Sequence, residues 1–293
     1  MSFIGKLTVL LLASLNAYFI DIEMVNFSVA VMLILIFGIP HGATDHVLFN
    51  ILQSGRLEQN PKQKFIFFYL LTMALFSLAW YFFPVLSLLL FLLISAYHFG
   101  ETQLSYWKEK KVLKPIAYLS WGIAILSIIL FSDIPRLQQY LVPSLLSEDI
   151  LLSVLSIKYY LFVGSLGIFL ALIAIYDRHK ILEELFDLGV ITLLSIVCPL
   201  LLSFALFFAF WHSKDAIILQ INSLKLSSNN FSIRQWIKLA LPFSILSIVG
   251  IVMIIGITQF FEFEIPLVTL LFILIAIITL PHALIMSRYL SKT

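Results

Sequence analysis

Long apolar runs leave this chain few ways to fold. A membrane span needs roughly 20 mostly apolar residues. Runs of about that length lie at 24–52, 65–83, 85–107, 115–131, 150–176, 188–219, 236–257 and 265–288, with a shorter one at 7–20. Backbone polar groups in hydrocarbon have no water to bond, so a spanning run of this length is read as a helix. The expectation is an all-α, polytopic integral membrane helix bundle with eight or nine transmembrane helices, forming a single transmembrane domain over residues 1–293.

Composition agrees. Hydrophobic residues make up 61% of the chain and charged residues 12%, about half the share that soluble domains carry. A net charge of +2 is too small to suggest a nucleic-acid partner. The single cysteine, Cys198, lies within an apolar run. It excludes a disulfide framework and a Cys-rich zinc or iron–sulfur site, and reads as a small buried apolar residue. The N-terminal stretch, with one lysine before an apolar run, has the look of a signal peptide. No small-residue cleavage site precedes Asp21-Ile22-Glu23 and further spans follow, so it is read as the first membrane helix. The loops at 53–64 and 108–114 fall on one side and hold seven of the 18 basic residues, which places that side and the N-terminus in the cytoplasm. The loop at 213–235 is also basic but falls on the other side, so the signal weakens late in the chain. The protein is expected in the cell's inner membrane as a multi-pass protein in direct contact with the lipid bilayer.

Ionisable groups inside spans are expensive and mark function by default. Five of the six histidines, His41, His46, His98, His212 and His282, lie in or at the ends of apolar runs, whereas His179 sits in a charged loop. One such histidine is ordinarily a helix–helix hydrogen bond. Five of them over four spans point to a metal held by neutral imidazoles, which suit iron, copper and zinc. His41, His98 and His212 fall at or just past the middle of their spans, so they are expected to share a depth. His282 lies nearer a helix end.

The densest cluster is Gly38-Ile39-Pro40-His41-Gly42-Ala43-Thr44-Asp45-His46. Pro40 has no N–H for the carbonyl of Ile36, so a kink is expected there. Gly42 permits close approach. Asp45, four residues after His41, either orients an imidazole N–H or caps the helix that carries His46. Glu101, three residues after His98, is a second acceptor, a ligand, or the start of the polar exit. Lys214 and Asp215 directly after His212 mark either the interface or the chemistry. Phe204, Phe207, Phe208, Phe210 and Trp211 crowd the approach to His212, and Tyr97 and Phe99 flank His98. Such a surface suits a long, flat apolar ligand, and equally suits ordinary packing against lipid.

Pro40-His41-Gly42-Ala43-Thr44-Asp45, His98-Phe99-Gly100, His212-Ser213 and Pro281-His282 resemble, in order and over nearly the whole chain, the landmarks of the Brp/Blh family, the bacterial and archaeal membrane β-carotene 15,15′-dioxygenases. The resemblance implies an all-helical membrane enzyme with a His-held Fe(II) that uses O2 to cleave β-carotene at its central double bond into two molecules of all-trans-retinal. Carried over by position, the iron histidines are His41, His98 and His212. The family's fourth falls on Ala216, where its His-x-x-x-His motif reads His212-Ser213-Lys214-Asp215-Ala216. His46 or His282 would have to compensate. The resemblance also implies β-carotene or a related apolar polyene as substrate, O2 as co-substrate, and hand-over of retinal to a rhodopsin. No side-chain acid or base is required beyond the metal ligands. A di-iron hydroxylase or desaturase would need His clusters that the chain lacks. A second reading is a catalytically divergent membrane carotenoid-binding protein or transporter, since buried His and Asp in broken helices also occur in transporters.

Overall fold

The structure, a computed structural model, describes residues 3–19, 22–53, 61–107, 112–142, 145–227, 231–262 and 265–291. In chain order the helices are α1 (Phe3–Phe19), α2 (Glu23–Leu33), α3 (Ile39–Gly42), α4 (Asp45–Gln53), α5 (Pro61–Phe82), α6 (Pro84–Gln103), α7 (Lys114–Phe131), α8 (Ile134–Leu141), α9 (Glu148–Tyr176), α10 (Ile181–Val197), α11 (Leu200–Phe207), α12 (Lys214–Ser227), α13 (Ile233–Phe260) and α14 (Leu267–Leu290). No strand occurs among the described residues.

Eight helical stretches are long and apolar enough to cross a membrane: Glu23–Leu52, Lys62–Phe82, Pro84–Gln103, Lys114–Phe131, Glu148–Tyr176, Leu200–Lys225, Ile233–Phe260 and Leu267–Leu290. The first apolar helix, Phe3–Ala17, is shorter. The protein is thus a polytopic helical bundle, with eight such helices among the described residues. Asp21, and much of the basic loops at 53–64 and 108–114, lie outside the described residues.

Two boundaries differ from the sequence reading. The run at 188–219 is not one helix. It breaks at Cys198 and Pro199, where Pro199 adopts φ −55°, ψ 150° ahead of α11. The residue before a proline is pushed out of helical geometry, and Cys198 is extended at φ −102°, ψ 149°. Second, α12 continues to Ser227 through a stretch whose polarity suggested a loop. Gln220, Ile221 and Leu224 are buried there, and Ile221 and Leu224 pack against Trp236 and Ala240 of α13.

The chain folds into two compact units. The first comprises Met1–Gly38, Ala96–Pro143 and Ser147–Ala216. Here α6 and α7 approach each other at two glycines. A Cβ on Gly100 would stand 2.0 Å from the carbonyl oxygen of Tyr118, and one on Gly122 1.8 Å from that of Ala96. Small residues let membrane helices close to backbone contact, since lipid supplies no hydrophobic drive to pair them. Buried Glu184 of α10 accepts hydrogen bonds from Trp121 Nε1 of α7 at 3.0 Å, the Tyr106 hydroxyl at 3.0 Å and Gln103 Nε2 at 3.2 Å. Lys6 of α1 forms a buried ion pair with Asp187 of α10, which Phe3 supports by ring contact with Phe186.

The second unit comprises Ile39–Ser95, Ser144–Leu146 and Ile217–Thr293. Its core includes Leu48 and Phe49 of α4, Phe65 of α5, and Ile285, Met286 and Tyr289 of α14. The outward faces stay apolar: Tyr160 of α9 in the first unit and Phe82 and Met253 in the second are largely exposed, as a lipid-facing surface requires.

Candidate functional site

Pro40 was expected to kink its helix and free the carbonyl of Ile36. Just before it the structure widens the helix into a π-helical segment over Ile34–Gly38 that leads into α3. A π turn absorbs a residue without a break in the helix, and such turns gather at functional sites. A second π-helical segment, Phe208–Ser213, joins α11 to α12 and contains His212. The two segments pack on one another in the first unit. Gly38 makes this possible, because a Cβ on it would lie 2.5 Å from the Phe208 ring.

In the first unit His98 of α6 and His212 are both buried, with ring centroids 4.8 Å apart and ring planes at 72°. An aromatic wall surrounds them. Phe208 stacks on His212 at 5.4 Å, Phe99 meets it edge-on at 4.6 Å, and Phe204 stacks behind Phe208 at 5.5 Å. Phe207 packs on Phe99 and Trp121. Two of the expected aromatics point elsewhere: Phe210 pairs with Phe37 and Tyr97 with Tyr118. Glu101 is buried on α6.

In the second unit His41 and His282 are both buried, with ring centroids 4.6 Å apart and planes at 85°. The His282 ring lies against Gly42, where a Cβ would stand 3.5 Å from Nδ1. His282 Nδ1 donates to Asp45 Oδ1 at 2.8 Å, and the Tyr69 hydroxyl donates to Asp45 Oδ2 at 3.1 Å. Asp45 begins α4, so its carboxylate sits at a helix N-terminus, where backbone N–H groups favour negative charge. Of the two roles weighed for Asp45, the hydrogen bond to an imidazole is present, and the imidazole it holds is that of His282.

His46 is only partly buried. Its Nδ1 lies 3.1 Å from the carbonyl oxygen of Ala43, and its ring packs on Phe243 at 4.7 Å and on Phe65 at 6.2 Å. His179 is exposed on the short 3-10 turn after α9. Lys214 and Asp215 pair with each other at 2.7 Å.

Sequence reading missed Gln220. This fully buried amide donates to the His41 carbonyl oxygen at 2.8 Å, and accepts from the Thr44 hydroxyl at 2.9 Å and from Trp236 Nε1 at 3.1 Å. The helix is interrupted at Ala43 and Thr44, and Gln220 ties down backbone and side chain on both sides of that interruption. The available signal was an amide at the end of an apolar run, next to a segment read as loop.

The donors suit a metal. A bond of about 2.1 Å from ion to imidazole nitrogen puts the ring centroid roughly 3.3 Å from the ion, so two rings at right angles about it stand about 4.6 Å apart. The His98–His212 centroid separation of 4.8 Å is compatible with that spacing. Imidazoles without thiolate suit iron, copper and zinc alike.

The family model for β-carotene 15,15′-dioxygenase matches residues 32–289. The chain belongs to the β-carotene 15,15′-dioxygenase family. The family match begins two residues before the π turn that precedes His41 and ends one residue short of the end of α14, and so takes in every histidine discussed above. A similar protein is the β-carotene 15,15′-dioxygenase of Uncultured marine bacterium 66A03, 30% identical over 191 residues, or 63% of this chain. The match spans 66% of that relative's length, just under two thirds. No solved structure matches this member of the family.

Proposed function

We propose that this protein is an iron- and O2-dependent dioxygenase that cleaves the central 15,15′ double bond of β-carotene to two molecules of all-trans-retinal, within the cell's inner membrane. The observation that carries this reading is the family match over residues 32–289. The reaction balances as one β-carotene and one O2 to two retinals, each oxygen atom ending in one aldehyde.

His41, His98 and His212 are the proposed ligands of a single Fe(II). Supporting this, the His98 and His212 rings are spaced as adjacent ligands are. The chain leading to His41 also passes the Phe208 ring at Gly38. Bound iron would supply the O2 chemistry. The protein's residues do the rest. Phe99, Phe204 and Phe208 offer flat faces to a polyene and keep water away. Gln220 holds the His41 backbone in place. β-Carotene is insoluble in water, so the substrate enters from the bilayer between apolar helices, and the retinal product leaves for a membrane acceptor such as a rhodopsin.

Ala216 is fully buried where the resemblance calls for a fourth histidine. That favours a second reading, a carotenoid-binding protein without turnover. The test is expression in carotenoid-producing cells, with His98→Ala as the inactive comparison and exposed His179→Ala as the neutral one. Retinal should form, with loss of orange colour, in the wild type and His179→Ala cells alone. Intact β-carotene in cells whose membranes contain the wild-type protein would overturn the proposal in favour of the second reading.

A further inference from the structure

We infer that a polar cavity in the first unit, where α7 gives way to α8 and α10 breaks before α11, binds the head group of an aminophospholipid, with its ammonium against the last carbonyls of α10 and its phosphate against Arg136. The cavity holds about 220 Å³, and Asp133, Arg136, Ser195, Cys198 and Pro199 are among the residues that line it. Sites that enclose a drug-sized ligand run to roughly 300–1,000 Å³, so this one has room for a head group and not for a carotenoid. No histidine lines it.

The break in the helix supplies the acceptors. The Cys198 N–H closes the last turn of α10 on the Leu194 carbonyl at 2.9 Å. Pro199 has no N–H for the carbonyl of Ser195, four residues back. The Leu200 N–H, four residues after Ile196, is a donor to the Asp133 carboxylate instead. The carbonyls of Ser195 and Ile196 thus end α10 without their helical donors, at the negative end of its dipole, where a cation with N–H groups is favoured.

The other pole is Arg136. Its backbone N–H donates to Asp133 Oδ1 at 3.3 Å and its Nη1 to Asp133 Oδ2 at 2.7 Å. A guanidinium has five N–H donors in a fork suited to phosphate, and that of Arg136 is partly exposed. Glu23 of α2 also acts on Arg136 through its charge. With two carboxylates around one guanidinium, a free anion is a poor complement, and a molecule carrying both ammonium and phosphate is a good one. The location agrees. Residues 132–147 connect the spans of α7 and α9, so the cavity lies at the membrane surface, at the level of head groups. Ile196 lines the cavity and is exposed, and exposed Leu193 follows one turn deeper on the same face of α10, an apolar track for acyl chains.

The test uses the full-length protein, delipidated in detergent, with native mass spectrometry of added phosphatidylethanolamine, phosphatidylcholine and phosphatidylglycerol. Choline has no N–H to give the carbonyls and glycerol has no charge, so phosphatidylethanolamine should occupy one saturable site at least about 10-fold more tightly than either. Arg136→Gln should weaken it about 10-fold or more, the loss of a charged hydrogen bond, and Arg136→Lys should recover most of that, with both variants checked by their unfolding midpoint in detergent. Equal binding of the three lipids by the wild type would overturn the inference whether or not the variants fold. So would a folded Arg136→Gln protein with wild-type affinity. Displacement of the lipid by millimolar inorganic phosphate would overturn it in favour of a free-phosphate site.

Discussion

Gln220→Leu is the substitution whose consequences follow most directly from the structure. The side chain is fully buried and takes part in three hydrogen bonds, with the His41 carbonyl, the Thr44 hydroxyl and Trp236 Nε1, at 2.8, 2.9 and 3.1 Å. Leucine fills a similar volume and removes all three. Side-chain hydrogen bonds within membrane proteins contribute about 0.6 kcal/mol each, with a ceiling near 1.7 kcal/mol. Three of them sum to about 2 kcal/mol, with roughly 5 kcal/mol as the limit. Thr44→Val removes one bond and should cost about 0.6 kcal/mol. Since its partner is Gln220, the two substitutions should be less than additive in a double-mutant cycle. The assay is equilibrium unfolding in mixed micelles, followed by retinal formation on the same preparations. Cleavage should fall by more than stability alone explains, because the His41 backbone loses its tether. A Gln220→Leu protein within about 0.5 kcal/mol of the wild type, with unchanged cleavage, would refute the idea that this amide holds the His41 segment.

Gly100→Ala should destabilise by about 1–3 kcal/mol or more, because the new methyl would lie 2.0 Å from a backbone oxygen that cannot rotate away. Gly164→Ala, with nothing within 4 Å of the added Cβ, should instead stabilise slightly, and micelle unfolding compares the two. Asp133 caps α8 by accepting from the Arg136 backbone N–H, and pairs with the Arg136 guanidinium at 2.7 Å. Burial raises its pKa, but the Arg136 hydrogen bonds outweigh that and hold the carboxyl below its usual range. A lowered folded pKa stabilises above the unfolded value, near 3.9, and that contribution is lost as pH falls through the folded value. Asp133→Ala should therefore cost about 1 kcal/mol at pH 7, and the gap to the wild type should shrink in unfolding measured near pH 3.

The apolar runs were sufficient to establish the helices, because a chain in hydrocarbon must satisfy its own backbone and a helix does so within one segment. All eight spans that the structure contains lie on runs legible in the sequence, and the doubtful ninth is the short helix Phe3–Ala17. The candidate residues were legible for a related reason. A histidine or aspartate inside such a run costs too much to be idle, so His41, Asp45, His98, His212 and His282 stood out before any coordinates. The Pro-His-Gly-Ala-x-Asp block then tied them to a family. What remained hidden was which residues meet. Asp45 and His282 are 237 positions apart, and no local pattern links them. Both π turns were likewise invisible, because the wider turn is stabilised by a neighbouring element: Gly38 and Phe208 interlock only once the two segments lie side by side. Gln220 lay in a stretch read as loop, and only the packing of α13 against it shows its role. Solvent selects helices one segment at a time, and so composition determines them. Hydrogen-bond partners and ring contacts depend on how helices distant in sequence pack, and only the tertiary structure decides that.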